Sequence, residues 1–556
     1  MRSGFSWKTV VSSLWVLASS CQCLLAAPGD IKKSVPLPCR YPGGVATDGR
    51  YLFIVDWREA LVFQMAPDGQ VRRTWPAPTL KPQGLAYGAG KLFVSDDHSG
   101  WIYAMNPADG LVERSFEGPG PNVVGLAFSN EGLYLMEQKS GQIFLVDTDD
   151  GTILRVFEAP NRTCGGLAFD GRYLWAADRV KDEIYLVDPV RGAVLGIVAA
   201  PAAYPVGLAW LDGHLWNADF QTRQLYQIVV RDSQKYRLAD SRDARVEFLW
   251  GLYNYGPGEV RDLRLNLAIP RSWPQQELLS KVEYAKAPDD TLLDRWQQPS
   301  AEFRLEVLPA GRREFFGYTL GARISSIRYL IFPDEVGPLT DIPPDLREAY
   351  TADGPRYRLS SPYLQETVAR IVGEEKNPYW IARKLYDFVI ERLEYEMVGG
   401  WDVPEVVLQR GRGSCSEYTF SFIALCRAAG LPAQYEGGLV VRGDEASVDE
   451  AFHRWALVYL PNYGWVPVDA NRGDAAIPAD RARGFGELSN RFLVTMRGGG
   501  DSASLGWDYT SFARYRTTGY CKVEEERLAF WEPLSPTTQP ASAPSAAIKP
   551  GECRVP

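Results

Sequence analysis

Apolar residues early in the chain fall into short runs that recur at a fixed step. Gly84-Leu85-Ala86-Tyr87, Gly125-Leu126-Ala127-Phe128, Gly166-Leu167-Ala168-Phe169 and Gly207-Leu208-Ala209-Trp210 share one pattern, and Gly44-Val45-Ala46 is a weaker first copy. Their glycines stand 40, 41, 41 and 41 residues apart. Each copy leads into an apolar run such as Tyr173–Asp178, then a second such as Glu183–Asp188, a Pro or Asp/Gly turn, and a last short run such as Val194–Val198. Four short strands per period of about 40 residues predict the blades of a β-propeller. The last copy has no obvious fourth strand. Lys33–Pro38, ahead of the first copy, matches the fourth-strand position that Arg155–Pro160 occupies in its own copy. The N-terminal strand is therefore expected to complete the last blade and hide its edge. That gives five blades, with six left open should one copy be degenerate.

From about Arg245 to Pro333 this period is lost while alternation persists, in Val246–Trp250, Leu263–Pro270 and Phe303–Pro309. The pattern predicts a small antiparallel β-sandwich. Spacing then turns helical. One helix is expected from Pro362 to about Glu374. A second runs from an Asn377 N-cap, with Pro378 in first position, to about Glu394, its stripe being Ile381, Leu385, Phe388, Val389 and Leu393. Val406–Ala433 holds a Gly-rich turn followed by an apolar helix that stops at Gly430 and Pro432. Phe492–Met496 and Phe512–Tyr515 are expected to close this last domain. After about Leu534, Ser, Pro, Thr, Ala and Gln dominate, a composition that buries no core.

Composition adds limits. The 556 residues are 46% hydrophobic, enough for several cores, and the net charge of -9 argues against nucleic acid as a partner. Arg2 and Lys8 precede an uncharged run from Thr9 to Ala27, the pattern of an export signal. Cleavage of that signal and its retention as a membrane anchor both stay open. The expected location is periplasmic or extracellular. Of eight cysteines, Cys21 and Cys23 lie in the signal. No Cys/His spacing suits a metal, and pairs such as Cys39–Cys164 or Cys521–Cys553 are open for a disulfide. His98 and His214, with the acidic turns Asp96-Asp97 and Asp147–Asp150, read as ordinary turn chemistry.

The candidate chemistry is at Cys415, at the N-terminus of the apolar helix, where free N–H groups and the helix dipole favour a thiolate. His453 is the one histidine outside the repeats. It begins the run His453–Leu460, which turns at Pro461–Gly464 and returns as Trp465–Asp469. In that hairpin His453 lies near Asp469, so a carboxylate can fix the imidazole tautomer. Cys426, Trp455 and Trp465 read as packing residues.

Three motifs, in this order, resemble the transglutaminase-like superfamily over about Leu346 to Tyr515: Gly411-Arg412-Gly413-Ser414-Cys415 with Arg427–Ala433, His453-x-Trp455, and Gly464-Trp465-x-Pro467-x-Asp469. The resemblance implies a papain-like core and acyl transfer through a thioester, with Cys415 as nucleophile, His453 as base and Asp469 as orienter. Ala470 stands where many relatives have proline or threonine. The side-chain oxyanion donor stays open among Tyr395, Trp401 and Gln409. The early repeats resemble NHL and YVTN propellers, which implies a binding platform. The sandwich resembles the one that often precedes bacterial transglutaminase-like domains, which implies a spacer.

The expectation is thus a multidomain chain: signal peptide 1–27, β-propeller 30–235, β-sandwich 240–336, an α+β papain-like transglutaminase domain 340–525, and a disordered tail 526–556. It is expected to be an exported cysteine acyl-transfer enzyme, a peptidase or amidase if water accepts the acyl group and a transglutaminase if an amine does. Its partners are a protein or peptide substrate and a protein on the propeller, with no cofactor, metal or calcium loop implied. The alternative is an inactive binding or scaffold protein that reuses both folds.

Overall fold

The computed structural model describes residues 25–397 and 401–534. All but the end of the expected signal, and the Ser/Pro-rich stretch from 535, lie outside the described residues. Strands dominate, in several small sheets, with few helices.

The repeats form five four-stranded antiparallel sheets. In the fourth, the strands are Cys164–Phe169, Leu174–Asp178, Glu183–Val187 and Val194–Ala199. The fifth takes its outer strand from the N-terminus: Ile31–Pro36 pairs with Gln224–Ile228, with Val35 opposite Leu225. The repeated glycine has a steric reason. A Cβ on Gly44 would sit 2.4 Å from Leu85 N, one on Gly125 2.3 Å from Gly165 O, and one on Gly207 2.5 Å from Gly43 O. First strands of neighbouring sheets thus touch backbone to backbone, the fifth against the first. The turn aspartates are occupied locally: Asp96 Oδ1 accepts the N–H groups of His98 and Ser99, and Asp178 Oδ1 those of Val180 and Lys181. Cys39 and Cys164 are separate thiols, so the pairing considered for them does not form.

Two further sheets make the sandwich. Tyr236–Pro257 pairs along its length with Arg312–Tyr329, while Val260–Ala268 pairs with Pro299–Leu308. Alternate residues Val246, Phe248, Trp250 and Leu252 face Leu263, Leu265 and Phe303 in a common core. Two expectations are corrected here. Ser511–Thr517 does not close the helical domain; it pairs with Val260–Ala268. The stretch from 526 is not yet tail, because Cys521–Pro533 is one strand lying against Tyr236–Pro257. In the fold Glu524 and Glu526 accept the hydroxyls of Tyr255 and Tyr253 at 3.2 and 2.7 Å.

Six α-helices follow among the described residues: α1 (Pro344–Tyr350), α2 (Pro362–Val372), α3 (Pro378–Arg392), α4 (Pro404–Arg410), α5 (Cys415–Ala428) and α6 (Pro478–Arg483). Asn377 caps α3, its side-chain oxygen accepting the N–H groups of Tyr379 and Trp380 at 2.9 and 3.3 Å. Helix α5 is buried on nearly all sides and ends at Gly430, whose φ of +80° suits a residue without Cβ. It packs on a four-stranded sheet in the order Gly464–Val468, His453–Leu460, Ala433–Val440, Phe492–Gly498. Among the described residues no helix is long and apolar enough to cross a membrane.

Candidate active site

Helix α5 starts at Cys415 because the chain before it is pinned. Glu417, three residues into the Ser-x-x-Glu sequence Ser414–Glu417, accepts the Ser414 N–H at 2.9 Å. Its other oxygen accepts the Asp402 N–H at 3.0 Å and Arg410 Nη2 at 2.7 Å. Gly413 leaves the room this needs, since a Cβ there would lie 2.8 Å from Glu417 Cβ. Cys415 therefore stands in the first turn, where N–H groups lack partners within the helix.

The hairpin supplies the other two groups. Leu460 pairs with Gly464 and Ala456 with Val468, so the strand ends carrying His453 and Asp469 meet. His453 Nε2 lies 2.7 Å from Asp469 Oδ2. The imidazole is stacked on Trp455 and Phe492, with ring centroids 5.9 and 5.4 Å away. Nδ1 is left for the Cys415 thiol, which borders the same cleft. Asp469 is buried, and its second oxygen accepts the Arg472 N–H at 3.2 Å.

The electrostatics favour an ion pair. Burial pushes the Cys415 thiol up, but the hydrogen bond and charge of His453, with Arg454 close by, outweigh it and hold the thiol below its ordinary range. Burial pulls His453 down, yet Asp469 and Cys415 together raise it to about 10. Asp469, despite burial, is held below the usual carboxylate range by His453 and Arg472.

Arg454 and Glu417 had not been singled out in the sequence. The Ser-x-x-Glu pattern was a readable signal for Glu417. Arg454 lay inside the His-x-Trp motif, at the position that motif leaves free. Its guanidinium is buried among Phe420, Tyr435 and Tyr509, 4.7, 4.8 and 4.6 Å from their centroids, and donates to Trp507 O at 2.8 Å.

The three residues open onto a cleft of about 1010 Å³. One wall is the strand Ser447–Asp449, which pairs with Cys521–Pro533 of the sandwich. Tyr395 and Trp401 also border the cleft. Tyr395 sits opposite Gly413, beside the turn into α5. Gln409 lies exposed on α4 and is not part of the cleft. Cys426 is core, its thiol pushed well up by burial, and Trp455 is buried with its indole N–H on Glu436 at 2.9 Å.

Residues 365–470 match the transglutaminase-like superfamily, and this stretch, which contains Cys415, His453 and Asp469, is a transglutaminase-like domain. Over 164 residues the chain is 29% identical to an uncharacterized protein of Haemophilus influenzae, a match covering 24% of this chain and 44% of that relative. The chain thus spans less than half the length of the curated relative it matches. Among solved structures, one of a Cytophaga hutchinsonii protein proposed as a cysteine protease aligns at 14% identity and a TM-score of 0.37, covering 52% of this chain and 92% of that one. Glutaminyl cyclase of Myxococcus xanthus aligns at 14% identity and 0.34, covering 37% and 97%. Virginiamycin B lyase of Staphylococcus aureus aligns at 19% and 0.26, covering 35% and 68%. Likenesses this low carry no argument about function.

Proposed function

We propose that this protein is a cysteine-dependent acyl-transfer enzyme acting on amide bonds of proteins or peptides. The observation that carries the reading is a thiol in the first turn of α5 facing an imidazole whose Nε2 is held by Asp469 at 2.7 Å, all in one cleft. The Cys415 thiolate attacks the amide carbonyl carbon and forms an S–C bond. N–H groups of the first turn of α5 stabilise the oxyanion. As the C–N bond breaks, the His453 imidazolium gives its Nδ1 proton to the leaving amine, and a thioester remains. Water or an amine then attacks the thioester, loses its proton to His453, and regenerates the thiolate. Water makes the reaction a peptidase or amidase step, and an amine makes it a cross-link.

The five sheets whose first strands touch in sequence, fifth against first, support a five-bladed propeller over 30–235 that serves as a binding platform. The sandwich is read over 240–336 together with Ser511–Thr517 and Cys521–Pro533, and the acyl-transfer unit over the stretch between, 340–510. Export through residues 1–27 completes the reading, with the protein periplasmic or extracellular.

Alkylation of Cys415 by iodoacetamide, followed against pH by mass spectrometry beside H453A, tests the chemistry. Fast labelling below pH 7 that falls in the variant is expected. An ordinary thiol profile near pH 8.5 in both proteins overturns the reading.

A further inference from the structure

Asp469 is one end of a line of charges, its carboxylates buried and its guanidiniums half-buried, that begins in the N-terminal repeats. Arg472, whose N–H holds Asp469 Oδ1, turns its guanidinium to Glu487, with Nη2 2.8 Å from Oε1. The other Glu487 oxygen is shared by Arg328 Nε at 2.8 Å and Arg483 Nη1 at 3.5 Å. Both of these arginines also reach Glu183, Arg483 Nη2 at 2.5 Å and Arg328 Nη1 at 3.5 Å. Glu183 stands on the third strand of the fourth sheet, and the Tyr185 hydroxyl bridges it to Asp178, 3.2 Å from each. Three parts of the chain therefore meet: the repeats through Glu183, the sandwich through Arg328, and the transglutaminase-like unit with its flank through Arg472, Arg483 and Glu487.

Three guanidinium groups share two carboxylates, and Glu183 and Glu487 are only 8% and 7% exposed. Such a cluster is sensitive to the loss of one member, because the remaining half-buried charges are left out of balance. Arg472 Nη1 is buried without a hydrogen-bond partner among the described residues, so Glu487 is the side-chain anchor of the turn that presents Asp469. Without Glu183, Arg328 and Arg483 both fall back on Glu487 and compete with Arg472 for it.

We propose that Glu183 and Glu487 are positioning residues for the Asp469–His453 pair, so that the repeats form part of the frame of the active site. The inference rests on the acyl-transfer reading above. The groups facing Asp469 are His453, Arg472 and, from α3, Tyr386. Those facing Glu487 are Arg328, Arg472 and Arg483, and Asp480 adds a carboxylate 3.5 Å from Arg483.

Positioning and a mere field effect have opposite signs. Removing a negative charge at a distance stabilises a thiolate and lowers the alkylation midpoint of Cys415. Loosening Asp469 weakens the imidazolium that holds the thiolate and raises the midpoint. The test is the iodoacetamide pH profile of the full chain carrying E183Q, with circular dichroism to establish folding. The expected result is a midpoint raised by about 0.5–1 pH unit and labelling at pH 6 slowed about 3–10-fold. In E183Q/R483Q, where one competing guanidinium is gone, at least half of the shift returns. An unchanged or lowered midpoint in folded E183Q overturns the inference, as does a double variant no better than the single one. If E183Q does not fold, E487Q, which removes the carboxylate that anchors Arg472, takes its place, and an unchanged or lowered midpoint there overturns it equally. A wild-type chain with an ordinary thiol profile removes the acyl-transfer reading and this inference together. A low wild-type midpoint that E183Q leaves in place removes the positioning role alone.

Discussion

Beside His453 stands a second cation, Arg454, whose charge also acts on the Cys415 thiol. Its guanidinium lies among aromatic faces, and Nε and Nη1 have no hydrogen-bond partner among the described residues. An apolar replacement therefore leaves little unsatisfied, and methionine suits the aromatic surround. R454M is expected to raise the Cys415 alkylation midpoint by about 1 pH unit while the melting temperature holds or rises. A midpoint that stays put shows that His453 alone sets the thiol. The Asp469–His453 pair predicts a pH window for stability. The folded pKa of His453 is raised, so its contribution is complete below the unfolded value of 6.5 and is lost as pH rises toward 10. That of Asp469 is lowered, so its contribution is present above 3.8 and lost as pH falls below. D469N should therefore cost most between about pH 4 and 6.5, on the order of 2 kcal/mol, and progressively less toward pH 10, as thermal melts across that range will show. Cys415, His453 and Asp469 were legible because each sits in a local motif at a helix or hairpin end. Arg328 and Glu487 were not, because they pair with each other across 159 residues, and nothing local marks either.

At the scale of elements, α5 shows how little chain is needed to aim a nucleophile. Glu417 is buried at 4% exposure and accepts from Ser414, Asp402 and Arg410, so it ties α4 and the loop after residue 400 to the first turn. E417A leaves two N–H groups and one guanidinium without their acceptor. It is expected to destabilise the protein by about 2–3 kcal/mol in urea unfolding and to slow Cys415 labelling even where the variant is fully folded. E417Q, which keeps an acceptor but loses the charge, should fall between. Elements set by local rules were read correctly from sequence: the Asn377-capped α3, the stop of α5 at Gly430, and the His453–Val468 hairpin. The strands Ser511–Thr517 and Cys521–Pro533 were assigned elsewhere because alternation marks a strand without naming its partner, and both return to pair more than 240 residues back.

On the scale of the whole molecule, the sandwich is more than a spacer, since its last strand backs the cleft. Trp531 pairs with Val246 on one side and Ser447 on the other, and its side chain is 1% exposed in the sandwich core. The next strand over, Ser447–Asp449, is at the edge of the sheet and forms a wall of the cleft, so its place depends on the strand carrying Trp531. W531A removes a large buried side chain and is expected to cost about 3–5 kcal/mol in unfolding free energy. If the cleft wall were independent of the sandwich, that loss would appear in global stability alone. Because the wall is three residues long and its backbone pairs with this one strand, the loss should appear locally first. Limited proteolysis of folded W531A is expected to cut between Val441 and Phe452 before any other described segment, with hydrogen exchange at Val448 and Asp449 accelerated at temperatures where the N-terminal repeats remain protected. Uniform acceleration across the chain would instead mean that the sandwich, the repeats and the cleft unfold as one cooperative unit, joined by the same charges that connect Glu183 to Asp469.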